Sequence, residues 1–336
     1  MAKPSTRPVV IQLNAYTPYR VWSLGSSVPT RLARSFPEVR VLQSRDRETF
    51  LRFLPEAQVL FTWTLPRRHF ARARRLRWIH TPEGGVDSLL SPELIKSDVV
   101  VTNTRGLNSD CIADHALGLT LALTRRLADC REWQRQKIWA RDFLWSGDRI
   151  PFPLRERTAV VVGMGPIGRA IAARLKACGM LVLGVRRKPS DKDEPGFDQV
   201  FATDQIDQAL ARAELLVLAL PLTRGTRRYI DADRLEKLKP GAILINVGRG
   251  ELIDERELIR ALEHGRLGAV GLDVTEQEPL SKDSPLWTDP RVLISPHVAG
   301  TDPAHMERAT ELFEKNLELF LAGQPMQNVV DKRAGY

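Results

Sequence analysis

Arg249, Glu278 and His297 each stand just beyond a short apolar run of the kind that forms a buried strand. A guanidinium fork suits a two-point grip on a carboxylate. An imidazole can hold or release a proton near neutral pH, and a neighbouring carboxylate favours imidazolium and fixes the ring's orientation. Taken singly, the arginine reads equally well as a surface ion-pair partner, and a lone histidine is usually structural. Their common placement changes the reading, because in an open parallel sheet ligands sit outside the carboxyl ends of the strands, where residues distant in sequence converge. Together the three fit reduction of a carbonyl, with its proton supplied by an acid/base pair.

A second motif specifies what would bring the electrons. Gly163-Met164-Gly165-Pro166-Ile167-Gly168 follows the strand-like Ala159–Val162 and precedes a helical stripe at Ile167, Ala170, Ile171 and Leu175. A bare glycine fingerprint often marks only a turn. In this strand–turn–helix setting, backbone N–H groups and the helix N-terminus can hold a pyrophosphate, so a dinucleotide site is expected. Eighteen positions beyond Gly168, where an NAD site usually carries an acidic residue for the ribose hydroxyls, the chain has Arg186, then Arg187 and Lys188. Guanidinium there suits a 2′-phosphate, so NADP is the preferred cofactor and NAD a possible one. Pro221, Thr226, Val247, Gly248, Arg249, Asp273 and His297 lie at or beyond later strand ends, and complete the expected cofactor contacts.

The elements that must position these residues are also legible. The chain has 336 residues, 43% of them apolar, and two domains are the natural expectation. From Val9 to Asn103, strand-like runs alternate with helical patterns, and a second series of six runs begins near Thr158 and ends at Val292–Ile294. Between them Asn108-Ser109-Asp110 offers N-cap residues to a long helix reaching about Arg135, suited to linking domains or packing on a partner subunit. Phe143 to Leu154 reads as loop, and Ala304 to Leu321 as a final helix.

Charge and cysteine usage set the surroundings. The net charge of +9 comes from dispersed arginines, which favour anionic substrates but form no nucleic-acid recognition motif. Cys111, Cys130 and Cys178 are odd in number, at no metal spacing, and read as buried thiols. No segment reads as a signal peptide or a membrane span, so a cytoplasmic setting is expected.

Taken in order, Gly84-Gly85-Val86-Asp87, Val101-Thr102-Asn103, Gly163 to Gly168, Pro221-Leu222-Thr223, Lys239-Pro240-Gly241-Ala242 leading to Arg249-Gly250, Asp273-Val274 to Glu278-Pro279, Ser284-Pro285-Leu286-Trp287 and Ser295-Pro296-His297 resemble the D-isomer-specific 2-hydroxyacid dehydrogenase family, and within it the glyoxylate/hydroxypyruvate reductases. The resemblance runs nearly end to end. It implies an α/β protein of two doubly wound parallel-sheet domains, with a Rossmann cofactor domain (107–298) inserted in a flavodoxin-like substrate domain (1–106 and 299–336). It further implies a homodimer formed through the long helix 109–135. By the same resemblance a carboxylate-binding loop falls on Gly84, Gly85 and Val86, the substrate arginine on Arg249, the acid/base histidine on His297 and its carboxylate partner on Glu278. Trp63 and Trp287 join the expected substrate pocket. Two departures stand out: Asp114 where the family usually has Glu, and Glu83 before the glycine loop where a small residue is common. A 2-hydroxyacid dehydrogenase acting on phosphoglycerate or a branched keto acid would use the same trio, and the fold also serves as a dinucleotide-sensing corepressor.

Overall fold

Twelve short strands, all paired in parallel, organise the computed structural model, which describes residues 8–147, 149–188 and 193–336. They fall into two units. One comprises the described residues up to Asn108 together with Thr301–Tyr336, and the other is Ser109–Gly300.

The first unit holds β1 (Val9–Leu13), β2 (Val39–Gln43), β3 (Val59–Phe61), β4 (Trp78–His80) and β5 (Val100–Thr102). Their order, β2-β1-β3-β4-β5, is the flavodoxin-like one. The closing helix, His305–Leu321, covers one face of this sheet. Its fully buried Phe313 stacks on Trp78 at 5.0 Å and lies 4.8 Å from Phe61, which is why so short a sheet is well anchored. An antiparallel bridge, Thr102 to Val329, then returns the chain to β5.

The second unit holds β6 (Thr158–Val162), β7 (Leu181–Arg186), β8 (Gln199–Ala202), β9 (Leu215–Leu218), β10 (Ala242–Asn246), β11 (Leu267–Leu272) and β12 (Val292–Ile294), ordered β12-β11-β10-β9-β6-β7-β8. This is the Rossmann order with one further strand at the end, and the direction of winding reverses between β6 and β9. Residues of β6 alternate between two cores. Ala159 and Val161 pack with Ala113, Ala116, Leu119, Ile171 and Leu175, whereas Val160 and Val162 pack with Leu210, Leu235, Leu258 and Leu262. A strand covered on both faces reads as a near-continuous apolar run, and β6 does so from Ala159 to Val162. Arg174, on the helix after the glycine turn, bonds Asp114 at 2.6 Å and Asp110 at 3.1 Å and ties that helix to Ser109–Thr124.

Four expectations need correction. The helix expected over 109–135 is two helices, Ser109–Thr124 and Leu127–Arg135. Arg126 between them is left-handed (φ 56°, ψ 38°), with its guanidinium bonded to Asp129 at 2.6 Å and the Arg149 carbonyl at 2.9 Å. Apolar periodicity carries no sign of such a local break. The expected Phe143–Leu154 loop contains part of a short helix, Arg141–Ser146, whose Phe143 and Trp145 are exposed and so give no burial pattern. The six expected strands are seven, because β8 is a half-exposed edge strand with a polar start. Finally, the three cysteines are half-buried rather than buried and are in no disulfide, each at a helix surface or end.

Candidate active site

The glycine turn is shaped for an anionic ligand. Gly163 is left-handed (φ +102°), and a Cβ there would lie 2.6 Å from the Ala219 carbonyl; at Gly168 a Cβ would lie 1.8 Å from the Gly163 carbonyl. Any larger residue would break the turn or lift the helix from β6. Gly165 is the N-cap of the Pro166–Ala177 helix and offers no side-chain cap, and Pro166 occupies the first turn. The first-turn N–H groups can therefore serve a phosphate. Met164 is buried against the strand side, and Ile167 is half-buried against the helix core, so both support the turn through packing. The turn lies at the β6–β9 reversal, the position at which such sheets bind ligands.

Arg186 ends β7, with Arg187 and Lys188 exposed directly after it. Its guanidinium is ion-paired to Glu194, and the other oxygen of that carboxylate takes Arg169 from the phosphate helix. Glu194 carried no sequence signal. Beyond β9, the Thr226 hydroxyl donates to the Pro221 carbonyl (2.7 Å) and accepts from the Thr223 N–H (2.7 Å), closing the turn after that strand.

Arg249 follows β10 and is half-buried. The loop that carries it is braced by the buried Asn246, whose amide donates to the Arg249 carbonyl at 2.8 Å and accepts from the Gly248 N–H at 3.0 Å. Val247 is packed into the sheet.

Glu278 and His297 come together as the sequence suggested. His297 Nδ1 lies 2.7 Å from Glu278 Oε2, with the two side chains 48% and 40% exposed. Glu278 is held in turn through Oε1 by the Thr275 N–H at 3.3 Å. His297 is left-handed (φ 52°), a conformation few non-glycine residues adopt, and its N–H donates to the Asp273 carbonyl at 2.8 Å. The Asp273 carboxylate, only 3% exposed, secures the same loop. It accepts from the Ser295 hydroxyl (2.7 Å) and from the Val298 and Ala299 N–H groups (3.0 Å each). His115 Nε2 meets Ser295 Oγ at 2.6 Å, which extends the chain to the Ser109–Thr124 helix. Through these bonds Asp273, expected among the cofactor contacts, holds the His297 loop. Neither Ser295 nor His115 was assigned a role from sequence; their only signal was proximity to Asp114 and His297.

The remaining expected residues are placed as follows. Trp287 is 54% exposed in the second unit, its Nε1 donating to the Ser281 carbonyl at 2.9 Å. In the first unit, Asn103 donates to the Gly84 carbonyl at 2.6 Å, and the Pro82 carbonyl takes the Thr104 hydroxyl (2.7 Å) and His305 Nε2 (2.7 Å), so the glycine loop is fixed from both sides. Gly84 is exposed and Gly85 half-exposed, whereas Val86 is only 2% exposed and packs in the core of the first unit. Trp63 lies edge-on to Trp22 at 6.0 Å, with its buried Nε1 unpaired among the described residues.

A family model for the NAD-binding domain of D-isomer-specific 2-hydroxyacid dehydrogenases matches residues 117–299. The chain belongs to that family. A glyoxylate reductase from Thermococcus kodakarensis is 31% identical over 302 residues, 88% of this chain and 89% of that one. A D-3-phosphoglycerate dehydrogenase from Mycobacterium leprae is 32% identical over 333 residues, 98% of this chain but 60% of that longer one. Among solved structures, the NADPH-dependent glyoxylate/hydroxypyruvate reductase from Sinorhizobium meliloti, in complex with NADP and sulfate, superposes with a TM-score of 0.80 at 28% identity, covering 98% of this chain and 99% of that one. The chain is therefore an oxidoreductase with a nicotinamide-dinucleotide-binding Rossmann domain, acting on small hydroxy or keto acids. No described helix is long and apolar enough to cross a membrane.

Proposed function

We propose that the protein is an NADPH-preferring reductase of small 2-keto acids, glyoxylate and hydroxypyruvate foremost, that yields D-2-hydroxy acids where the product is chiral. The observation that carries this reading is the 2.7 Å contact between His297 Nδ1 and Glu278 Oε2, in the same unit as the dinucleotide cradle. Arg186, Arg187 and Lys188, where an acidic residue would mark an NAD site, support the NADPH preference.

The cradle around Gly163–Gly168 fits the pyrophosphate of such a cofactor, since Gly165 faces open space at the helix N-terminus and no side-chain cap takes the first-turn N–H groups there. When bound, the reduced nicotinamide dinucleotide supplies a hydride. Arg249 grips the substrate carboxylate through its planar fork. His297 holds its Nδ1 against Glu278, which leaves Nε2 to carry the transferable proton to the keto oxygen as the carbonyl carbon is reduced. Half-exposed, the imidazole then regains a proton from solvent.

The protein also acts as a cytoplasmic homodimer in this reading. Three cysteines outside any disulfide suit a reducing compartment, and Ile138, Trp139, Phe143, Trp145 and Ile150 give an exposed apolar set, following the Leu127–Arg135 helix, for a second copy to cover. The phosphoglycerate relative favours one alternative substrate, which belongs in the test. Steady-state reduction of glyoxylate, hydroxypyruvate, branched 2-keto acids and 3-phosphohydroxypyruvate with NADPH and NADH decides between them. A higher kcat/KM with NADH, or with the phosphorylated acid, would overturn the corresponding part. Absence of turnover with all of them would favour a dinucleotide-sensing corepressor.

A further inference from the structure

Among the described residues, Glu194 joins the strand-end arginine to the phosphate helix. It lies eight residues beyond Arg186, is 11% exposed, and bonds Arg186 through one oxygen and Arg169 through the other. Arg169 stands in the first turns of the Pro166–Ala177 helix, its N–H bonded to the Gly165 carbonyl, so the carboxylate joins the glycine turn to the end of β7. The hydrogen bond from Arg169 leads the effects that hold the Glu194 carboxyl below the usual range, so it is charged at neutral pH. The guanidinium that would receive a 2′-phosphate is thus already occupied by an internal anion.

We propose that Glu194 is a cofactor-selectivity residue: a 2′-phosphorylated dinucleotide must displace it from Arg186, whereas a dinucleotide with a free ribose hydroxyl leaves it in place. This rests on reading the second unit as a nicotinamide-dinucleotide site. A 2′-phosphate carries close to two negative charges at neutral pH, and setting it on Arg186 beside an ionised carboxylate juxtaposes like charges, which is costly. Once displaced, Glu194 retains Arg169. With an unphosphorylated ribose, Glu194 can accept a hydroxyl donor as the acidic residue at a strand end normally does, from a different place in the chain. Glu194 therefore narrows the preference that Arg186, Arg187 and Lys188 create.

The test is equilibrium binding to the full-length protein by calorimetry, with NADPH and NADH, and with 2′-AMP and 5′-AMP as probes that lack the nicotinamide. In Glu194→Gln the ratio of Kd for NADH to Kd for NADPH should rise about tenfold, with the 5′-AMP to 2′-AMP ratio following it. Glu194→Ala should shift both ratios the same way, and it serves if the glutamine variant does not fold. A carboxylate that is only a structural clamp would lower both affinities, or the melting temperature, and leave the ratios unmoved; that result overturns the proposal. If neither variant folds, the arginine Nε–H resonances of wild-type protein decide: Arg169 and Arg186 should both shift on adding 2′-AMP and not on adding 5′-AMP, and unmoved resonances in the bound state overturn the proposal. A wild type that prefers NADH, with a Gln variant swung towards NADPH, would sink the NADPH preference while supporting the role of Glu194. If NADPH and 2′-AMP bind to neither wild type nor variants, both ideas fail.

Discussion

Replacing Glu278 with glutamine removes one charge and little else, so it isolates what the carboxylate does for His297. The amide keeps an oxygen for the Thr275 N–H and another polar atom near His297 Nδ1, which stands 2.7 Å from the native Oε2. A charge-assisted hydrogen bond contributes about 1.5–3 kcal/mol when enclosed. Here the two side chains are 40% and 48% exposed, so solvent screening brings the expected worth to about 1–1.5 kcal/mol, or about tenfold in rate. His297→Gln removes the proton donor itself, for which about 10²- to 10⁴-fold in kcat is the usual cost. If Glu278 acts only through the imidazole, the double variant should be no slower than His297→Gln by more than about twofold. The assay is steady-state reduction of the best keto acid in the panel, with NADPH affinity measured by fluorescence titration and folding by thermal melting. Cofactor affinity should hardly change in any of the three. A double variant slower than His297→Gln by the full factor seen for Glu278→Gln alone would refute the reasoning, since the carboxylate would then act independently of the histidine.

Arg249→Lys keeps the charge but loses the planar fork, so kcat/KM for keto acids should fall at least about 10-fold with the cofactor Kd unmoved; unchanged keto-acid kinetics would remove Arg249 from the site. Ser295→Ala cuts the link from His115 to the enclosed Asp273, and a buried acceptor left short costs about 1–3 kcal/mol. Thermal stability and kcat should both drop in that variant, and an unchanged kcat would mean that the relay does not steady the His297 loop. His80 gives a pH signature. Burial holds its folded-state pKa at about 3 against 6.5 when exposed, so the unfolded chain takes up the proton first as the medium is acidified. Stability from this residue is complete above pH 6.5 and declines towards pH 3, by up to about 1.4 kcal/mol per unit. Urea unfolding from pH 7.5 to 4.5 should show a shallower pH dependence in His80→Phe than in wild type; identical slopes would contradict the account.

What the sequence conveyed well was whatever obeys a period or a fixed spacing. The runs that became β3, β6, β9, β10 and β11 are mostly apolar because they are covered, and Gly163 and Gly168 are glycine because no Cβ fits, so pattern and cause coincide. Arg249, Glu278 and His297 were recognisable by their place after strands, and the last two meet at 2.7 Å. What stayed hidden depends on single residues whose neighbours are remote. Arg126 breaks a helix through a local left-handed turn that leaves the apolar stripe up to Leu123 intact, and β8 is too exposed at the sheet edge to show an apolar run.

The hidden polar residues share a physical feature that explains why pattern reading passes over them. Asn246, Ser295, His115 and Glu194 each bond a residue that the sequence had already marked, or the loop that carries it: Asn246 holds the Arg249 loop, Ser295 and His115 hold the loop of His297 through Asp273, and Glu194 holds Arg186. A group expected to touch substrate or cofactor is constrained by the chemistry of that ligand, so its type and place recur and can be recognised. A group that only positions it is constrained by the geometry of this fold, and several residue types could satisfy the same carbonyl or carboxylate from different elements. Roles of the second kind therefore surface only when distances are available, and in this chain they gather around the trio and the end of β7, where an error in placing a side chain would cost most in rate or cofactor choice.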